Sequence, residues 1–570
     1  MGMEELIAAA RGDQPSDLLI TDARIVNVFS GEIIRGNIAI KDSYIAGIGD
    51  YEAKSNVSVK GCYVCPGFID PHVHIESTMT GVSQFAAAVL ARGTTTVVAD
   101  PHEIANVLGT DGIAWMLAAA EKQLINVYFT LPSCVPATEM ETAGAELDAE
   151  TLTPLLSHER ILGLGEMMNF QGVINRSPEV LGKIKAAAAH HKPTEGHSPG
   201  VSGKNLAAYI AAGILSDHEC VCAQEAIEKL RAGMYIMIRQ GTGARNLDDL
   251  LPIVSRQTWS RVMWCTDDRD ARDILTEGHI DSMVRRAINA GLEPITAICM
   301  GTINPASYFG LHSLGAIAPG RRADLVVLKD LEEFELKTVY CAGQKAAEHG
   351  EVAEGVCKND PEIFSVSMNV KKDSLDFRIP ARGSLVRVIG VCPASIVTSA
   401  QVISARIEHG EAVSDIGRDM IKLAVVERHR AAGNIGLGFV SGFGMRSGAI
   451  AGSVAHDSHN IIAAGVEDTD IKAAVEAVID MGGGLVVVDK GRVTASLALP
   501  TAGLMSELSL KQVAEKTSKL NHAAAGLGTE LSDPFMSLSF LALPVIPELR
   551  LTDLGLFDVA RFRHVSLFAD

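Results

Sequence analysis

The chain has 570 residues, with 50 Lys plus Arg against 69 Asp plus Glu and a net charge of −19. That length exceeds what one hydrophobic core organises and implies two or three domains. An acidic balance of this size excludes nucleic acid and anionic membrane as main partners and suits a small-molecule substrate.

Glu4, Glu5 and Asp13 occupy the N-terminal stretch where a secretory leader needs a basic end followed by an apolar run. No segment approaches the roughly 18 uninterrupted apolar residues of a membrane span. The 10 cysteines are spread without a compact framework, which suits reduced thiols and a cytoplasmic location. Cys62 and Cys65 form one C-x-x-C with no second pair at zinc-finger spacing, so they are read as part of a core strand.

From about Asp17 to Val64, short β-rich runs alternate with turns at Ser30-Gly31 and Lys41-Asp42-Ser43. A similar β-rich fragment returns between Gly315 and Gly343, which places both ends of the central segment in one sheet. Between them the pattern changes to apolar strands separated by helical stretches. Eight strands are predicted: Phe68 to His74, Thr94 to Asp100, Val127 to Pro132, Ile161 to Met167, Pro193 to His197, Ile214 to His218, Tyr235 to Gln240 and Val262 to Thr266. Eight βα units are the arithmetic of an α/β TIM-like (β/α)8 barrel, whose reactive groups sit at the carboxyl ends of the strands. The domains expected are a small β-sandwich from 1–66 plus 312–365, a catalytic barrel over 67–311 and a C-terminal α+β domain over 371–570.

The strand ends carry the chemistry. In GFIDPHVHIES, Pro71 interrupts the ladder, and His72 and His74 flank Val73, so both imidazoles share one face of an extended chain. Strand four ends at Glu166, strand five at His197, strand six at His218 and strand eight at Asp267-Asp268. A polar residue ending a strand commonly does no more than cap a helix. Four imidazoles and two carboxylates converging on one mouth instead suit two divalent ions sharing an oxygen ligand. His72, His74 and Asp267 are assigned to the first ion, His197 and His218 to the second, and Glu166 to the bridge. The nitrogen and oxygen set admits manganese or ferrous iron, and zinc as well. Two such ions share a water whose pKa falls far enough to supply hydroxide near neutral pH.

H-x-H after strand one, an acidic bridge at strand four, histidines after strands five and six and Asp after strand eight resemble the amidohydrolase superfamily. Within it, GFIDPHVHIES, ADPHEIANVLG, GLGEMMNFQGV, GFGMRSGAIAGSVAHDSHNI and LSDPFMSLSFLALPVIPEL resemble the bacterial adenine deaminases, nearly end to end. Many relatives bridge with a carboxylated lysine; Glu166 here follows the adenine deaminase pattern. The resemblance implies hydrolysis of adenine to hypoxanthine and ammonia at a two-metal manganese or iron centre, by attack of a metal-bridging hydroxide. Asp267 would accept the hydroxide proton and return it to the departing nitrogen, while Glu76, Glu103 and Glu219 are open alternatives for protonating the ring. His102, Glu103, Asp268, His456 and His459 are candidates for substrate contact, the last two on a C-terminal segment, SVAHDSHNII, that is expected to fold over the barrel mouth. A purine substrate and a homo-oligomer are expected as partners.

Other classes leave different marks. Deaminases of nucleic-acid bases pair H-x-E with P-C-x-x-C; His74-Ile75-Glu76 supplies the first half and the second is absent. A hydrolase of cyclic amides would keep the same ligands, and a scaffold would have lost them. Gly482-Gly483-Gly484 is not a phosphate cradle, because no G-K-[ST] follows.

Overall fold

A computed structural model describes residues 2–362, 367–392 and 397–570. The eight predicted strands are all present: β1 Phe68–Val73, β2 Thr94–Ala99, β3 Asn126–Leu131, β4 Ile161–Met167, β5 Thr194–Gly196, β6 Ser216–Asp217, β7 Tyr235–Arg239 and β8 Val262–Cys265. Their residues are almost entirely buried, as expected for parallel strands covered on both faces. Parallel pairing runs β5-β4-β3-β2-β1 and β6-β7-β8. Bridges between Thr194 and Ile214 and between Val73 and Asp267 join the two arcs into a closed barrel.

Several strands stop short of their predicted ends. β1, β5 and β6 end at Val73, Gly196 and Asp217, each one residue before a histidine. Pro71 lacks an N–H to donate, and the register shifts between Asp70 and Val73 at that point. His74 nonetheless keeps extended backbone angles, so the alternation that aims His72 and His74 together survives the end of the ladder. Between β3 and β4 and between β7 and β8 the α-helices are reduced to the four-residue Ala149–Leu152 and Leu247–Leu250.

The strands flanking the barrel share one nine-stranded sheet. Tyr63–Pro66, which leads into β1, pairs on one side with Ser16–Asn27 and on the other with Leu325–Leu328, beyond the barrel. Ile25, Ile38, Val64, Leu325 and Val327 from four of its strands meet in a single core, while the helix Met3–Arg11 covers its other face through Ala9. Cys62 and Cys65 are buried in this region, and all ten cysteines are free.

A second sheet of eight strands occupies the C-terminal third, with helix Asp468–Asp480 packed on one face through Ile471, Ala474, Val475 and Val478. Helix Leu510–Gly526 packs on its edge strand Arg492–Ala498 and on the barrel helix Ala271–Thr276. The C-terminal third docks on the barrel: Ser506 N–H donates to Met79 O at 2.8 Å, and Thr142 N–H and Oγ1 donate to the Asp553 carboxylate at 2.9 and 2.6 Å. Among the described residues, no helix is long and apolar enough to cross a membrane.

Candidate metal centre

All six predicted ligands lie at the carboxyl end of the barrel. His74 Nε2 is 3.0 Å from Asp267 Oδ1, and His72 Nε2 is 3.5 Å from the same oxygen. Glu166 lies between the two groups of histidines. Its Oε1 is 3.3 Å from His74 Nε2, and its Oε2 is 2.5 Å from His197 Nδ1 and 3.3 Å from His218 Nε2. The His72 and His218 rings stack with centroids 4.1 Å apart, which brings the two halves together.

The local chain explains each placement. Glu166 N–H donates to Asp100 Oδ2 at 3.1 Å, and a Cβ at Gly165 would come within 2.0 Å of that oxygen. Only glycine before Glu166 allows the approach. His74 Nδ1 donates to Asp100 O at 2.9 Å and His72 Nδ1 faces Glu195 Oε2 at 3.4 Å, so both rings turn Nε2 inward. Barrel closure sets the register of the last ligand: Asp267 N–H donates to His72 O at 3.0 Å, and Asp267 O accepts from His74 N–H at 3.4 Å.

Burial alone would raise the pKa of Asp267 and Glu166. The Arg239 guanidinium beside Asp267, and the His197 imidazole beside Glu166, instead hold both carboxyls well below the usual carboxylate range. The imidazoles respond in the opposite sense. Against burial, Asp267 and Glu195 carry His72 up to about 10, while Glu219 and Glu166 carry His197 up to about 9. Divalent cations compete with protons for these lone pairs.

The donor set fits metal. His72 Nε2 and His218 Nε2 are buried with no hydrogen-bond partner. Two ligands each about 2.1 Å from one cation stand about 3 to 3.5 Å apart, and the His72, His74, Asp267, Glu166 and His218 contacts fall in that range.

Arg239, at the end of β7, was not among the predicted site residues. Its Nη1 donates to Asp267 Oδ2 at 2.5 Å and also contacts Glu219 Oε1, and its Nη2 donates to Glu219 Oε2 at 3.0 Å. An arginine closing an apolar strand gives no signal by itself. The only sequence cue was its place at the same rim as the other ligands.

A cavity opens beside the ligands. Asp268, Glu76 and Glu103 line its polar side, and Met79, Leu504 and Phe535 its apolar side. Ser77 Oγ donates to Asp268 Oδ1 at 2.5 Å. The C-terminal segment does reach this mouth, where His456 Nδ1 lies 2.8 Å from Glu103 Oε1 and His459 Nε2 contacts Glu103 Oε2. His102 lies between the two groups, its Nε2 3.4 Å from Glu103 Oε1, its Nδ1 3.5 Å from Glu166 Oε1, and its ring centroid 4.5 Å from that of His74.

A closed parallel barrel whose carboxyl rim gathers four imidazoles and two carboxylates defines a metal-dependent hydrolase of the amidohydrolase class. The amidohydrolase family pattern matches residues 63–346, and the adenine deaminase C-terminal domain pattern matches residues 395–563. The chain is 53% identical to an adenine deaminase of Desulfatibacillum aliphaticivorans over 99% of both chains. It is 51% identical to one of Methanothrix thermoacetophila over 100% of both, and 49% identical to adenine deaminase 2 of Carboxydothermus hydrogenoformans over 99% of both. The chain belongs to the adenine deaminase family.

Proposed function

We propose that the protein hydrolyses adenine to hypoxanthine and ammonia as a metal-dependent aminohydrolase. The observation that carries this reading is full-length similarity to adenine deaminases in a chain whose six candidate ligands converge beside one cavity. The boundaries 1–66 plus 312–365, 67–311 and 371–570 are proposed as its domains. The free thiols favour a reducing cytoplasm.

His72, His74 and Asp267 would hold one ion, His197 and His218 the other, and Glu166 would bridge, with manganese or ferrous iron preferred and zinc also compatible. Bound there, the two ions supply Lewis acidity and a water acidic enough to act as hydroxide near neutral pH. The chain's own groups do the rest. The apolar walls from Met79, Leu504 and Phe535 receive the flat faces of the base and exclude bulk water. As the C–O bond forms at the carbon bearing the amino group, Asp267 Oδ1 takes the proton of the attacking oxygen. Asp267 then delivers that proton to the departing nitrogen as the C–N bond breaks. Arg239 holds Oδ2 and so keeps Oδ1 turned toward the histidines. Of the three acids considered for the ring nitrogen, Glu219 is tied to Arg239, whereas Glu76 and Glu103 face the cavity.

The test is adenine turnover, followed spectrophotometrically on manganese-loaded protein with metal content determined on the same sample. Adenine should be deaminated with two ions per chain. Glu166→Gln should bind fewer ions and lose more than about a hundredfold in rate. Turnover of a cyclic amide but not adenine, or a Glu166→Gln variant with parental rate, would overturn the reading.

A further inference from the structure

The contact between Glu103 and the C-terminal segment joins groups 353 positions apart in the chain. Glu103, His456 and His459 are all buried, and together they have the composition of a metal site. Their side chains close around the Glu103 carboxylate, and the His456–Glu103 contact is a hydrogen bond. His456 Nδ1 stands 2.8 Å from Glu103 Oε1, His459 Nε2 is in direct contact with Oε2, and His102 Nε2 is 3.4 Å from Oε1.

The His459 tautomer follows from its surroundings. Ala455 N–H donates to His459 Nδ1 at 3.2 Å, so the ring proton lies on Nε2 and points at Glu103. Burial lowers the His459 pKa to about 4, which keeps the ring neutral and that tautomer in place. The His456 ring and the backbone of both residues are held from behind. His456 stacks on Phe540 with centroids 4.7 Å apart, and its backbone N–H donates to Ser539 O at 3.2 Å. The buried Arg428 donates Nε to His459 O, Nη1 to Ser367 O at 2.6 Å and Nη2 to Ala502 O at 3.0 Å. A cage braced this thoroughly leaves the Glu103 carboxylate one position, at the wall of the cavity. Leu504 and Phe535, which also belong to the C-terminal third, line the same cavity.

We infer that His456 and His459 are positioning residues for the deamination, holding the Glu103 carboxylate where it accepts an N–H of the purine edge. The C-terminal region therefore completes the substrate site. An ionised carboxylate only accepts hydrogen bonds, and adenine as a free base carries a ring N–H to donate. This inference rests on the function proposed above.

The experiment compares kcat and KM for adenine, metal content and melting midpoint in six proteins: the parent, His456→Leu, His459→Leu, His456→Asn, His459→Gln and Glu103→Gln. Asn places its amide near the imidazole Nδ1 and Gln places its amide near Nε2, so these two variants keep a donor toward Glu103. The Leu variants should raise KM at least about tenfold with two ions still bound, and the Asn and Gln variants should recover most of that loss. Glu103→Gln, which keeps shape and loses charge, should raise KM as the Leu variants do, and it decides the matter should a Leu variant not fold. Parental KM in Glu103→Gln, or equal impairment of the Leu and amide variants, would overturn the positioning role. A parent inactive on adenine would overturn the function and this inference together, whereas an active parent with unaffected variants overturns only the inference.

Discussion

Asp267 shows how much one residue at this site depends on its surroundings. Its φ of +56° is left-handed, a region that short polar side chains tolerate at a cost of about 1 kcal/mol. Both of its backbone groups are bonded to the H-x-H strand, and Arg239 holds its outer oxygen. Arg239 pairs with the buried Asp267 and the half-buried Glu219 at once, so removing it leaves a buried carboxylate unpaired. Arg239→Met should destabilise the chelator-treated protein by about 3 to 5 kcal/mol, read as a lower denaturation midpoint. With manganese restored, its kcat should still fall more than about tenfold, because Asp267 loses its orientation. Arg239→Lys should recover only part of either loss, since a single ammonium cannot reproduce the two-pronged pairing. His72, His74, Glu166, His197, His218 and Asp267 could be read from the chain because each ends or follows an apolar strand. Arg239 ends an apolar strand too, but an arginine is not a metal ligand, and Glu195 lies inside its strand, so neither stands out without the partner that packing brings to it.

At the scale of elements, strand tips and helix caps do separate work. The barrel strands place ligands by ending where they do, and helix Leu510–Gly526 packs the C-terminal sheet against the barrel. Helix Leu510–Gly526 begins with a complete capping box: Ser509 Oγ accepts from Gln512 N–H at 3.3 Å, and Gln512 Oε1 accepts from Ser509 N–H at 3.0 Å. Ser509→Ala should cost about 1 kcal/mol, seen as a lower urea midpoint for the C-terminal region, with kcat on adenine unchanged. A comparable loss of kcat would mean that this helix end also shapes the cavity. The start of this helix is legible in the sequence, since S-x-x-Q before an apolar-periodic stretch is a recognisable start signal.

For the whole molecule, the metal centre is also a stabilising element. Four imidazoles and two carboxylates brought together in the interior are a costly arrangement until cations neutralise them. Ligand that binds only the folded state adds about 2.7 kcal/mol at a hundred times its Kd. Chelation should therefore lower the melting midpoint, and added manganese should restore it in a concentration-dependent way. A midpoint indifferent to both treatments would mean that the six side chains hold no ion.

By itself the sequence determined the alternation of strand and helix, the residues at each strand end and the turn chemistry, because these follow from local hydrophobic period and backbone preference. The tertiary structure alone decided the contact of His456 and His459 with Glu103, the clamp of Arg239 on Asp267 and the bridge between Val73 and Asp267 that closes the barrel. Those contacts join segments far apart along the chain, and only packing sets the distance between them.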